Sequence, residues 1–344
     1  MADRNYIFRV LAHASFDKMS SAVRAVHEKT GKNKIRIFLD MLQCTLRYGA
    51  GYYDYQVFAF YNLTAKQRST YVTRLVSKKL NEFLNDPEYS SIFENKDEFY
   101  RTFAGYLGRG FLELEKASKE EVEAFVKERE WLFAKLKDKE CGIGCERIRV
   151  SDYPDFEALY RYLKEKEFCT IEDLIIQHPD LEKLYPNAVN SMRIITILDN
   201  WGKPHCVYIV QKMGYNGRIV DNNGLFTPVD PETGRIKYPA HSGDTTLGII
   251  YEEHPETHVH LQGYQIPYVK EAVEMCLKAS LVVPQVRYIG WDVAVTEKGP
   301  VIIEGNTFNA HDFWQLPPHT PDGIGMLPLI KKLVPDFKCP YKGE

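Results

Sequence analysis

Tyr288-Ile-Gly-Trp-Asp-Val-Ala-Val-Thr-Glu-Lys-Gly-Pro-Val-Ile-Ile-Glu-Gly-Asn306 reads as a β-hairpin that carries three oxygen ligands to one spot. Val293, Ala294 and Val295 lead into the polar stretch Thr296-Glu-Lys-Gly299, where glycine supplies positive φ without steric cost, and Pro300-Val-Ile-Ile-Glu304 runs back. Glu304 and Asn306 are two residues apart, so in an extended strand their side chains leave the same face. Asp292 lies 12 residues before Glu304, and antiparallel pairing around the turn sets it across from them. Two carboxylates and an amide suit a hard divalent cation such as Mg²⁺, or Mn²⁺ in its place, with phosphate oxygens and water completing the octahedron. A hairpin with polar residues on a wet outer face is the plain alternative, and the apolar packaging of both strands tells against it.

These residues also carry a family resemblance. Asp…Glu-x-Asn on the last strands resembles the magnesium site of ATP-grasp enzymes. The wording of 288–306 looks like the sugar-transfer-associated ATP-grasp subfamily, whose members are often labelled glutamate-ligase-related. The resemblance spans roughly residues 93–335. It implies an α+β architecture, the ATP-grasp fold, in which two α+β lobes clasp ATP. A helical N-terminal region would occupy 1–92, the small lobe with its lead-in helices 93–186, and the large, metal-bearing lobe 187–344.

Length and composition agree with a globular chain. With 344 residues, 44% of them hydrophobic and 13% aromatic, the protein can bury an ample core. No run approaches the apolar length of a membrane span, and the first residues lack the apolar core of a signal peptide, so a cytoplasmic protein is expected. Seven scattered cysteines with no CxxC pair read as reduced thiols. Residues 1–80 hold 14 Lys and Arg against 5 Asp and Glu. That basic front would suit peripheral docking on an anionic membrane or an acidic partner, but no nucleic-acid motif accompanies it, and no nucleic acid is expected. The aromatic run Tyr52, Tyr53, Tyr55, Phe58, Phe60 and Tyr61 favours a structural role for this region, since such stripes more often pack than project.

Periodicity predicts helices at Lys34–Leu46, Ala65–Leu84, Asp97–Leu107, Lys119–Glu130, Asp155–Lys164 and Val269–Leu281. Strands are predicted at Trp131–Lys135, Phe168–Gln177, Arg193–Leu198, Cys206–Met213 and Gly217–Asp221, with a loop at Lys137–Arg147.

Further site residues follow from the resemblance. Lys135, ending an apolar strand, matches the family's phosphate-binding strand lysine, with Leu136 where the family has proline. Gly142 and Gly144 in the next loop let backbone N–H groups approach an anion. Lys96 resembles an earlier nucleotide-binding lysine. In Thr170-Ile-Glu-Asp-Leu-Ile-Ile176 the backbone around Glu172, Asp173 and Leu174 would read the adenine edge, and Gln177 or Asp180 would bind ribose. Arg193 would stabilise charge on the transferred phosphoryl group, and Lys212 stands where the family often has arginine. Asp221 and Asn222 resemble a segment linked to the acceptor substrate, and His254 and His311 are further substrate candidates. Zinc at His254, His258 and His260 lacks a fourth ligand at a defined spacing.

The implied activity is an ATP-dependent carboxylate–amine ligase that works through an acyl phosphate and serves surface-polysaccharide or peptide-conjugate synthesis, with a carboxylate and an amine as substrates. A phosphotransferase and a non-catalytic nucleotide-binding scaffold for glycosyl-transfer machinery are the rival readings.

Overall fold

The computed structural model describes residues 16–136, 144–221, 223–339 and 341. The first helices of the described residues are α1 (Phe16–Thr30) and α2 (Lys34–Tyr48), which pack on each other. Asn33 caps α2 by accepting from the amides of Ile35 and Arg36, and Gly49 ends it at φ 65°, a conformation that glycine adopts freely. Three helices follow: α3 (Tyr52–Val57), α4 (Ala65–Arg68) and α5 (Arg74–Leu84). The single helix expected over Ala65–Leu84 is therefore broken. Val72 bonds through both its amide and its carbonyl to the side chain of Gln315, and Thr73 caps α5. That tertiary partner takes the backbone groups a continuous helix would have used.

Next come α6 (Pro87–Glu94), α7 (Lys96–Thr102) and α8 (Ala104–Leu107). The predicted helix to Leu107 is interrupted at Phe103, whose fully buried ring packs edge-on against Trp291. Then come β1 (Phe111–Glu113), α9 (Lys119–Lys127), β2 (Trp131–Leu136), β3 (Cys145–Arg149), α10 (Phe156–Glu165) and β4 (Phe168–Asp173). The four strands form a sheet ordered β1-β4-β2-β3. One face is apolar: Leu132, Ala134, Ile148 and Ile171 pack on Val122, Val126, Leu159 and Leu163 of α9 and α10. Register puts Phe111, Phe133, Lys135, Cys145, Arg147 and Glu172 on the opposite face.

The second sheet is built from β5 (Met192–Leu198), β6 (Pro204–Met213), β7 (Leu225–Val229), β8 (Ala240–Ser242), β9 (Ile250–Tyr251), β10 (Tyr288–Thr296) and β11 (Gly299–Asn306), in the order β11-β10-β5-β6-β7-β8-β9. Helices α11 (Pro179–Leu184), α12 (Val269–Ala279) and α13 (Leu327–Leu333) complete the chain. The β10–β11 turn closes at Gly299, φ 117°, with the Thr296 hydroxyl donating to its carbonyl. Gly217–Asp221, read as a strand, is instead a turn followed by one isolated bridge between Val220 and Val189. Asn216 and Gly217 both have positive φ, which ends extension there.

The two faces of this sheet bury different layers. Ile194, Ile209, Trp291 and Val293 lie beneath α12 and the Phe93, Phe99 and Phe103 cluster. Ile195, Ile197, Tyr208, Val210, Phe226 and Tyr288 lie beneath the N-terminal helices. Tyr55, Phe58 and Phe60 are no more than 1% exposed in that second core, so the aromatic run packs inward. Among the described residues no helix is long and apolar enough to cross a membrane, and all six cysteines are unpaired.

Candidate active site

Three neighbouring strands converge on one corner of the large sheet. Asp292 on β10 is the register partner of both Glu304 on β11 and Arg193 on β5, so the three side chains share a face. A bulge after Asp292 marks this point in the hairpin. Arg193 donates from Nε to one Asp292 oxygen and from Nη2 to the other, the latter at 2.8 Å. Lys212 on β6 lies 3.7 Å from Asp292 and 3.1 Å from Asp221. Asp221 in turn accepts from the Ser191 amide at 2.8 Å and from its hydroxyl.

The electrostatics follow from this packing. Burial alone would raise the Asp292 pKa, but Arg193 and then Lys212 outweigh it and hold the carboxyl well below its usual range. Glu304 shifts the other way: crowding by protein atoms and then the Asp292 carboxylate push it up, although solvent still reaches its side chain. Asn306 points its amide nitrogen at Glu304 and at the Gly290 carbonyl, both at 3.4 Å, which leaves its oxygen as a free acceptor among the described residues.

Two carboxylates with one pushed up by the other, plus an amide oxygen, form a donor set that a hard dication would satisfy. Among the described residues no three His, Cys, Asp or Glu side chains gather on one point, because the third oxygen here belongs to an asparagine. Each Asp292 oxygen keeps a lone pair beyond its Arg193 bond.

The cleft face of the small sheet holds the second cluster. Lys135 is not a free ammonium: it pairs with Glu172 at 2.5 Å and donates to the Tyr100 hydroxyl at 3.0 Å. Tyr100 donates to the same Glu172 oxygen, and Arg109 Nε binds the other at 2.9 Å. Burial would raise Glu172, but Lys135 and then Arg109 bring it down to about 2. Burial opposes the charge on Lys135 as well, and Glu172 more than restores it. Arg109 reaches further, giving Nη1 to the Ile302 carbonyl at 2.8 Å and Nη2 to that of Ile303 at 3.2 Å, both on β11 of the other sheet.

Cys145 on β3 is the register partner of Lys135. Burial raises its pKa, and the charges acting on it belong to Lys135, Lys96, Glu172 and Glu304. Lys96 is exposed at the start of α7.

Other predicted residues have different jobs. The side chain of Glu172 anchors the cluster, which leaves backbone contacts to the segment beyond it. No backbone hydrogen bond to another described residue ties down Leu174, Ile175 or Ile176, so an adenine edge would find open amides and carbonyls there. Asp173 accepts from Arg129 and from the Gly110 amide at 2.6 Å. Gln177 is a correction: its amide nitrogen donates to the carbonyls of Tyr185 and Ala188, its oxygen accepts from Asn190, and nothing is left over for a ribose. Asp180 pairs with Lys183 at 2.7 Å on the first turn of α11.

His254, a substrate candidate, instead braces a loop, with Nε2 at 2.9 Å from the Gly214 carbonyl and Nδ1 facing the amides of Glu256 and Thr257. His311 Nε2 lies 2.7 Å from Asp54 of α3. Gly144, φ 74°, closes the β2–β3 connection against Leu136. Gly142 and Asn222 lie outside the described residues.

Sequence reasoning missed Tyr100, Arg109, Ser191 and Arg147. Arg109 stands between two glycines, a pattern that could have marked it. Arg147 lies on the cleft face with a buried Nε that has no partner among the described residues, and burial lowers its pKa.

A family model described as sugar-transfer-associated ATP-grasp matches residues 140–328, more than half of the chain. The chain belongs to the sugar-transfer-associated ATP-grasp family. Solved structures of similar fold include D-alanyl-alanine synthetase A from Vibrio cholerae, 16% identical over 72% of this chain and 63% of that one, TM-score 0.38. The D-alanine–D-alanine ligase from Coxiella burnetii is 11% identical over 74% and 62%, TM-score 0.42. ATP-grasp ligase PsnB, solved with minimal precursor, Mg and ADP, is 13% identical over 80% and 65%, TM-score 0.39. This ATP-grasp chain spans less than two thirds of the length of each. No relative was found among curated proteins.

Proposed function

We propose that this ATP-grasp protein is an ATP-dependent carboxylate–amine ligase. The reading rests on one observation: Asp292, Glu304 and Asn306 share a corner with the cations Arg193 and Lys212, and Arg109 ties the Lys135–Glu172 cluster of the small sheet to β11 one residue before Glu304. Such an arrangement suits a triphosphate lying between the sheets. Asp292, Glu304 and Asn306 would hold Mg²⁺, which when bound supplies Lewis-acid charge at the phosphate oxygens.

The chain's own residues do the rest. Lys135 and Lys96 bind phosphate oxygens as point charges, and open backbone at 174–176 takes the adenine edge. Arg193 keeps its Nη1 donors outside the Asp292 pair and, with Lys212, offsets charge on the phosphoryl group as it transfers. A substrate carboxylate oxygen attacks the γ-phosphorus, the bond to the β-phosphate oxygen breaks, and ADP leaves an acyl phosphate. An amine then adds to the acyl carbon, loses a proton and expels inorganic phosphate. Apposition of the lobes limits water that would hydrolyse the intermediate.

The test is a mass-spectrometric screen of acid and amine pairs with ATP and Mg²⁺. Because the family is associated with sugar transfer, uronic acids, amino acids and amino sugars belong in the panel. The expected result is amide, ADP and phosphate in equal amounts. A phosphorylated product without amide would indicate a phosphotransferase, and absence of ADP with every pair would overturn both readings.

A further inference from the structure

Helix α2 has two apolar faces, and the core uses one of them. Ile37, Met41, Cys44 and Tyr48 are buried in the N-terminal core. At about 3.6 residues per turn, Ile35, Leu39, Leu42 and Leu46 fall on the opposite side as a second stripe. Ile35 is 70% exposed, Leu39 58% and Leu46 54%. A single exposed leucine is ordinary, but a row of large aliphatic side chains on one helix face marks a surface that meets something. At ~1.5 Å per residue the row is roughly 17 Å long.

Cations stand on both sides of it. Arg36 and Arg47 follow the stripe along one flank, and the only acid of α2, Asp40, is already taken by two nitrogens of Arg68 and by the Tyr55 hydroxyl. On the other flank an open cavity of about 240 Å³ lies between α1 and α2. Met19, Val23 and Phe38 give it apolar walls, and exposed Arg24 and Lys34 stand at its mouth. From Phe16 to Tyr48 the chain holds seven Lys and Arg against three Asp and Glu, the other two acids being Asp17 and Glu28 on α1.

Charge and cavity together choose the occupant. Antiparallel pairing with a second copy would set Arg36 and Arg47 against the same flank of that copy, like charge against like. A partner helix is ~10–12 Å across with its side chains and needs a continuous groove, whereas the recess here is one cavity bounded by six residues. An anionic bilayer meets both features, with acyl chains for the aliphatic row and headgroup phosphates for the cations around it.

We propose that the outer face of α2 docks on an anionic membrane surface. Ile35, Leu39 and Leu46 enter the boundary between headgroups and acyl chains, to a depth of ~5–10 Å, and a phospholipid phosphate is held by Arg24 and Lys34 at the mouth of the cavity. The inner face of α2 keeps its place in the core, so one helix serves both fold and docking. None of these residues belongs to the ATP site, and the proposal stands apart from the ligase reading.

The test is flotation of the full chain with vesicles of phosphatidylcholine alone and of phosphatidylcholine with an equal part of phosphatidylglycerol. Wild type should float with the mixed vesicles and not with the neutral ones, and added salt should release it. Arg24→Gln with Lys34→Gln removes two cations and should weaken partition roughly 30-fold, at about five-fold per cation near an anionic surface. Leu39→Gln with Leu46→Gln should abolish flotation and leave the apo Tm unchanged, because both side chains already stand in water and glutamine suits a helix nearly as well as leucine. A clear fall in that Tm would show that another part of the chain covers the stripe, and a wild-type dimer that this variant splits in sedimentation equilibrium would assign the face to a second copy. Either result overturns the proposal. So do equal flotation with both vesicles, undiminished flotation of either double variant, or binding to poly-glutamate without flotation, which would mark an acidic protein partner instead.

Discussion

Glu304 is the residue on which the metal assignment turns. Its pKa is raised by confinement and by Asp292, so it takes up a proton at a higher pH than an ordinary carboxylate. Mg²⁺ requires the ionised form, and Mg²⁺-dependent ADP release should fall as pH drops through that raised value. Glu304→Gln should lower turnover by orders of magnitude without lowering Tm at neutral pH, since it removes a charge the fold holds unfavourably; wild-type ADP formation by the folded variant would refute the assignment. His311 gives an opposite signature. Burial disfavours its charge, but Asp54 prevails and raises the pKa, with Asp312 assisting and Arg74 opposing. The pair's stability is full below the unfolded value of about 6.5 and is lost as pH rises through the folded one. The Tm gap between wild type and Asp54→Asn should therefore narrow from pH 6 toward alkaline pH, and a constant gap would count against the pairing. Asp292, Glu304 and Asn306 were legible because a turn and a period of two fix which residues face one another. Arg109 was not, since a guanidinium between sheets exists only once distant strands are assembled.

At the level of elements, the hairpin and the strand lysine could be read locally, and the breaks in the helices could not. Thr73 and Phe103 interrupt periodic patterns because Gln315 captures backbone at Val72 and Trp291 draws Phe103 inward, and both partners lie far along the chain. The pairing of β2 with β4 also changes what Lys135 means. The sequence suggests that Lys135→Met would weaken ATP binding at little cost to the fold. With Glu172 buried beside it, the substitution should also destabilise the protein by about 2 kcal/mol, less than the ~3–5 expected for a carboxylate left alone, because Arg109 and Tyr100 remain on Glu172. Denaturant titration of Lys135→Met, Glu172→Gln and the double variant checks this. Additive losses would mean that the two side chains do not interact.

For the whole molecule, the N-terminal helices are a wall of the large lobe's core. Truncation to begin at Pro87 would uncover Ile195, Ile197, Tyr208, Val210, Phe226 and Tyr288. Exposing six such side chains forfeits on the order of 10 kcal/mol, comparable with the net stability of a domain. The shortened chain should aggregate or fail to melt cooperatively, and a soluble, active product would show that the lobes stand without those helices. Charge counting could not reveal this wall, because the basic residues and the buried aromatics occupy the same stretch and only the packing separates them. The reach of Arg109 between the sheets bears on how they are joined. One guanidinium is fastened to Glu172 on one side and to the carbonyls of Ile302 and Ile303 on the other, and the second attachment ends one residue before Glu304. One side chain therefore couples the two sheets, so Arg109→Met would cut the small sheet's charged cluster and the backbone next to Glu304 loose from each other in a single step.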